Sequence, residues 1–120
     1  MKGVRKVRYA SSEKKYQKYL AEKREGCPFC FQDGLPRKVI KKYKFWYITD
    51  NLFPYDLIYS GHDMIVPIRH LQSFWDLDSE ELNEYLEIRK EMPEMGYDEL
   101  LENMPKVRSQ RHFHQHLLKY

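Results

Sequence analysis

The chain has 120 residues, 42% hydrophobic, 15% aromatic and 32% charged, with a formal net charge of +3. That length suits one domain with one core, and the aromatic content excludes a disordered chain. No apolar run approaches the ~18 residues of a membrane helix and the basic start lacks the apolar stretch of a signal peptide, so an intracellular, cytoplasmic setting is expected.

In chain order, residues 1–25 carry nine basic groups against three acids, a formal +6. Strong helix formers there place Tyr16, Tyr19 and Leu20 on one side, which predicts a helix over 11–25 that stops at Gly26. Residues 76–102 carry eleven acids against two basic groups, a formal −9. The basic helix is therefore expected to pack near that acidic segment or across a dimer contact, with nucleic acid as the alternative partner.

Cys27-Pro28-Phe29-Cys30 follows. A spacing of three residues suits a metal or a redox dithiol better than a loop-closing crosslink. A redox pair is expected to open a helix after a strand, whereas this one follows a helix and runs into loop, so metal is preferred. Val39, Ile40, Tyr43, Phe45, Trp46, Tyr47 and Ile48 predict two short strands turning near Lys41–Lys44. Residues 51–61 read as loop and residues 62–68 as a third strand. Asp78-Ser79-Glu80-Glu81 has the form of a capping box ahead of Leu82, Tyr85, Leu86 and Arg89, a helix that Pro93 ends. A short helix is expected over 97–102, and period-two alternation makes 112–118 a strand with His112, His114 and His116 on one face.

All five histidines, at 62, 70, 112, 114 and 116, stand in motif-like contexts. Imidazoles two residues apart on a strand are ~7 Å apart, so neighbours serve adjacent centres more readily than one common ion. Two cysteines from a tight turn need two further ligands to complete tetrahedral zinc, and those must come from distant segments.

Gly61-His62-Asp63-Met64-Ile65-Val66-Pro67-Ile68-Arg69-His70 and His112-Phe113-His114-Gln115-His116-Leu117-Leu118 resemble the histidine triad superfamily. The cysteine pair and Asn51-Leu52-Phe53-Pro54-Tyr55 are similar to its zinc-bearing branch. The resemblance covers about 27–118 and implies transfer or hydrolysis at a nucleotide α-phosphate through a nucleotidyl-histidine intermediate. It implies His114 as nucleophile, His116 and His62 near phosphate oxygens, Ser109 and Asn51 as substrate contacts, and structural zinc on Cys27, Cys30, His70 and His112. It further implies a nucleotide or dinucleoside polyphosphate as substrate, and pairing as a homodimer. The chemistry is consistent: a neutral imidazole with one nitrogen hydrogen-bonded presents the other as a nucleophile near pH 7.

Gln115 stands where the family expects an apolar residue, which predicts a less buried opposite face. Of the strand and asparagine-bearing turn that the family places before the triad, only Asn103 and Ser109 are left. The expected fold is α+β, an antiparallel sheet with one helix before it and one between its strands. It divides into a basic helix over 1–26 and a histidine triad-like domain over 27–120, compact as a whole. The second functional class is a zinc-stabilised module binding nucleotide or nucleic acid through Arg5, Lys6, Arg8, Lys14, Lys15 and the Lys41, Lys42, Lys44 cluster. Intact His62, His114 and His116 favour the enzyme.

Overall fold

The computed structural model describes residues 6–22, 26–31, 37–108 and 110–120. In chain order the elements are helix α1 (Ala10–Ala21), strands β1 (Val39–Lys42), β2 (Trp46–Asp50) and β3 (Gly61–Pro67), helix α2 (Ser79–Glu91), and strands β4 (Glu99–Leu101) and β5 (Gln115–Lys119). The five strands form one antiparallel sheet in the order β1-β2-β3-β5-β4. The expected α+β architecture is present, and among the described residues no helix is long and apolar enough to cross a membrane.

Three element boundaries differ from expectation. Helix α1 ends at Ala21, where Glu22 turns to extended backbone; residues 23–25 lie outside the described residues. The short helix expected over 97–102 is instead strand β4, with Glu99, Leu100 and Leu101 opposite Leu118, Leu117 and His116. Gly96, at a φ of 89°, turns the chain out of α2 so that this segment meets the open edge of β5. Backbone pairing there outweighs local helix propensity. Strand β5 starts at Gln115 and not at His112, because the Phe113 N–H donates 2.7 Å to the Leu71 carbonyl and is lost to the ladder.

Both faces of the sheet are covered. On one, Trp46, Ile48, Ile65, Phe113 and Leu117 pack against Tyr85, Ile88 and Met92 of α2 and its end. Gln115 points to this face and is only 5% exposed, which corrects the expectation of a less buried side. Its oxygen accepts from the Tyr85 hydroxyl and its amide donates to Glu102 at 2.9 Å, so the polar group is buried with both ends satisfied. On the other face Tyr47, Met64 and Val66 pack with Phe29, and Leu118 packs with Val7 and Tyr55. His62, His114 and His116 are buried on that second face.

Among the described residues the contacts of the basic helix are with a loop and not with α2, while its expected alternative, a dimer contact, involves a second chain. Helix α1 buries no residue of its own and lies on the 51–56 loop: the Tyr16 and Tyr19 rings sit 5.3 and 4.8 Å from that of Phe53, and the Tyr9 N–H donates to Asp56. The acidic α2 meets the β1–β2 hairpin instead. Glu91 accepts from the Tyr43 hydroxyl at 3.1 Å and pairs with Lys41, while Glu84 takes the Phe45 N–H at 2.7 Å.

The capping box is formed: Asp78 accepts from the Glu81 N–H at 2.8 Å, and Glu81 accepts from the Asp78 N–H at 2.9 Å. Glu81, 2% exposed, also accepts twice from Arg69. Removing it leaves an orphan N–H and an unpaired guanidinium, the latter half in solvent. Glu81→Ala should therefore lower unfolding free energy by about 2 kcal/mol and Asp78→Ala by about 1, measured by urea titration. Equal, negligible losses would mean that α2 is held by packing alone.

Candidate functional site

The cysteine turn is pinned at both intervening carbonyls. The Tyr47 hydroxyl donates to Phe29, and Arg37 donates to Pro28. This aims both thiols at two histidines from distant segments. Cys27 Sγ lies 3.3 Å from His112 Nδ1, and Cys30 Sγ lies 3.3 Å from His70 Nδ1 and 3.6 Å from His112 Nδ1. The four ligand atoms all fall within 4.8 Å of one another. Tetrahedral bonds of about 2.3 Å to sulfur and 2.0–2.1 Å to nitrogen would set sulfur–nitrogen separations of about 3.6 Å, so the group has the size and donor set of a metal centre.

The protonation pattern agrees. His112 Nε2–H donates 2.8 Å to the Pro67 carbonyl, leaving Nδ1 as a lone pair toward the thiols. Burial, with the nearby His70 and His114, lowers His112 to about 4, so it is neutral and able to ligate. Burial and the adjoining Cys27 thiol push Cys30 up to about 11. A cation between the sulfurs would reverse that shift.

Two residues further on, His114 turns its ring away from the metal group. Its Nδ1–H donates 3.0 Å to the His112 carbonyl, so Nε2 carries the lone pair. Burial first, then the charges of Arg108 and Arg37, lowers it to about 4. His116 lies opposite Met64 on β3, and His62 begins that strand, which brings His62 Nε2 within 2.7 Å of His116 Nδ1. A backbone donor fixes the tautomers. The Tyr55 N–H donates 3.0 Å to His62 Nδ1, so His62 carries its hydrogen on Nε2 and donates to His116 Nδ1. His116 must then carry its own hydrogen on Nε2; the nearby Asn103 Nδ2, at 3.2 Å, is itself a donor, so the two do not hydrogen-bond in this tautomer. Burial dominates both rings, lowering His62 to about 3 and His116 to about 2.

His114 and His116 line a cavity of about 650 Å³, while His62 reaches it through His116. Asn51 also lines it; its Oδ1 accepts from the Phe53 N–H at 2.7 Å and its Nδ2 lies 3.2 Å from His62. Ser109 lies outside the described residues. The strand spacing thus serves two adjacent centres, with His112 in one and His114 and His116 in the other.

The sequence singled out Asn103 and Arg8 without their place on this cavity, and it did not single out Arg37 or Arg108. Asn103 follows β4, and that strand was not foreseen. Arg37 and Arg108 come from loops with no motif, and Arg8, held by the Phe53 carbonyl and stacked 4.0 Å over Tyr16, precedes the helix read as a separate basic arm.

Four neutral buried histidines, His62, His112, His114 and His116, make stability depend on pH. Unfolded, each ring returns to its ordinary 6.5, so below that pH the unfolded chain binds protons that the folded one refuses. Stability should fall as pH drops from 6.5 toward the folded values, by up to ~1.4 kcal/mol per histidine and pH unit. Urea midpoints at pH 7 and pH 5 check this, and His116→Gln should flatten the slope. A midpoint constant over that range would contradict the neutral assignment.

A family model described as "Protein similar to CwfJ C-terminal" matches residues 14–118. No curated protein matches. Among solved structures, a HIT family hydrolase from Clostridium thermocellum superposes with a TM-score of 0.64 at 19% identity, covering 82% of this chain and 93% of that one. A HIT family hydrolase from Legionella pneumophila Philadelphia 1 is 26% identical with a TM-score of 0.59, over 78% and 91% of the two chains. A histidine triad nucleotide-binding protein from Candida albicans is 20% identical with a TM-score of 0.65, over 79% and 76%. With the family model spanning the cysteine turn, the sheet and the triad strand, the chain belongs to the family of proteins similar to the CwfJ C-terminal segment, within the histidine triad superfamily.

Proposed function

We propose that the chain is a nucleotide hydrolase or nucleotidyl transferase acting at an α-phosphate through a covalent intermediate on His114. One observation carries this: His114 is neutral, its Nδ1–H is held by the His112 carbonyl, and its ring lines the cavity with Nε2 as the free lone pair. Such a nitrogen attacks phosphorus without a strong base to deprotonate it first. The N–P bond forms as the bond to the leaving group breaks. Water then displaces the nitrogen, returning a neutral ring and a nucleotide.

His116 supports the step as a donor. With Nδ1 occupied by His62, its Nε2–H is available to a phosphate oxygen as negative charge grows. His62 is the positioning residue, since its own hydrogen is committed to His116. Asn51, on the cavity wall, is a proposed substrate contact, and so is Ser109, on the ground of the sequence resemblance alone. The aromatic side, formed by Tyr16, Phe53 and Tyr55, suits a nucleobase.

The residues proposed to hold zinc are Cys27, Cys30, His70 and His112. Closed by four protein ligands, zinc there would supply structural stapling, with no open position for reaction chemistry. Elemental analysis of protein purified without added metal should find one zinc per chain, and Cys27→Ser or His70→Ala should lower both occupancy and thermal stability. Less than half an equivalent, with both thiols titrating freely, would remove the zinc assignment.

His114→Ala should abolish turnover on a panel of dinucleoside polyphosphates and nucleoside phosphoramidates while keeping zinc content. It should also abolish the nucleotidyl adduct seen by intact mass. His116→Ala should slow turnover by about 10²–10³-fold, the usual loss of one charge-stabilising donor. Full activity in His114→Ala would place the nucleophile elsewhere.

A further inference from the structure

Two donors face each other on the cavity wall. His116 carries its hydrogen on Nε2, and Asn103 Nδ2 lies 3.2 Å away while donating to the Tyr55 hydroxyl at 3.2 Å. Donors repel at that separation, so the two stay together only if the chain holds Asn103 in place. Backbone pairing alone stops short of it. Strand β4 is three residues long, and its ladder with β5 ends at Leu101 opposite His116. Continuing that register would set Glu102 opposite Gln115 and Asn103 opposite His114. A side-chain bond stands where the ladder ends: Gln115 Nε2 donates 2.9 Å to Glu102 Oε1.

That bond is the last link of a directed chain. Arg89 Nη1 donates 3.3 Å to the Tyr85 hydroxyl, Tyr85 donates to Gln115 Oε1, and the Gln115 amide hydrogens are left to face Glu102. Tyr85 is 2% exposed, so water does not compete for these bonds at the centre of the chain. The chain runs from the surface of α2 through the core and ends one residue before Asn103. Side chains alternate across extended backbone, so tying Glu102 to the helix-covered face presents Asn103 on the opposite face, where it lines the cavity. An apolar residue at 115 could fill the same space, but it would leave the Tyr85 hydroxyl and the Glu102 carboxylate without their partner. What the amide adds is direction.

Resting on the hydrolase reading above, we infer that Gln115 and Glu102 are a positioning pair: from the face of the sheet away from the cavity they hold Asn103 beside His116, so that the two donors converge on one substrate oxygen. Neither Gln115 nor Glu102 lines the cavity, so both act through Asn103. An acceptor placed between the donors turns their repulsion into two hydrogen bonds, which makes the arrangement ready for substrate before it arrives. His114 is anchored separately, at the His112 carbonyl. Losing the pair therefore weakens binding and spares the attacking nitrogen.

Gln115→Leu and Glu102→Ala break the bond from opposite ends, while Glu102→Gln keeps an acceptor oxygen for the Gln115 amide. In the wild type and in Glu102→Gln, nuclear Overhauser contacts should join the Asn103 side-chain amide to the Tyr55 and His116 rings. Both broken variants should lose them. With diadenosine triphosphate as probe, the broken variants should raise KM about tenfold, the scale of one hydrogen bond, and keep kcat within about threefold, whereas Glu102→Gln should retain wild-type values. A pair that only fills the core would lower the melting temperature and leave the contacts and KM unchanged. That result, or an unchanged KM where the contacts are lost, overturns the inference. If Gln115→Leu does not fold, Glu102→Ala, at a half-buried position, carries the comparison. If the wild type turns over neither this probe nor the wider panel, the hydrolase reading fails by itself. The Overhauser contacts then decide the positioning pair alone: lost in the broken variants they uphold it, and kept they reject it.

Discussion

Everything at the site hangs on the backbone and ring of His112. Its Nδ1 faces the cysteine turn and His70, its Nε2–H is bonded to Pro67 on β3, and its carbonyl receives the His114 ring. One residue thus joins the cysteine–histidine cluster, the sheet and the His114 ring. The next N–H, that of Phe113, is taken by Leu71 in the segment that also carries His70. A shift at any of these anchors would rotate His114, because the hydrogen bond that orients it comes from main chain and not from a mobile side chain.

The second organising element is the ordered line of donors from Tyr55 through His62 to His116. Burial strips these rings of charge, and a backbone amide, which has no alternative protonation state, decides which nitrogen of each carries hydrogen. The 51–56 loop therefore sets the tautomers of the buried histidines from outside the triad strand. It supplies that amide, it holds Asn51 against His62, and Phe53 on the same loop seats the aromatic side of α1.

Much of this was legible because the informative residues are chemically rare and regularly spaced. Cys27 and Cys30 three apart, and histidines alternating at 112, 114 and 116, mean the same thing in any fold. The capping box at Asp78 was equally readable, being local. What could not be read depends on tertiary partners. β4 forms because β5 offers an edge, although residues 97–102 look helical in isolation. Gln115 looked like a sign of exposure, yet Tyr85 and Glu102 meet it inside the core. Charge summed along the chain did not point to the contacts that seat α1 within the chain, which are with Asp56 and the Phe53 ring. Arg37 and Arg108 sit on loops whose course no periodicity describes.

The position of β5 between β3 and β4 has a kinetic meaning. Gly61 pairs with Lys119 and Ile65 with Gln115, so the centre of the sheet closes only when segments fifty or more residues apart along the chain meet. Folds dominated by such distant pairing form slowly, since loop closure precedes the contacts that reward it. The cysteines are separated from His112 by 85 and 82 residues and share that delay. During synthesis both thiols emerge long before their histidine partners, free to be oxidised to a disulfide or captured by a competing soft metal. The turn whose thiols meet His70 and His112 in the finished molecule is, until the last strand docks, its most chemically vulnerable part.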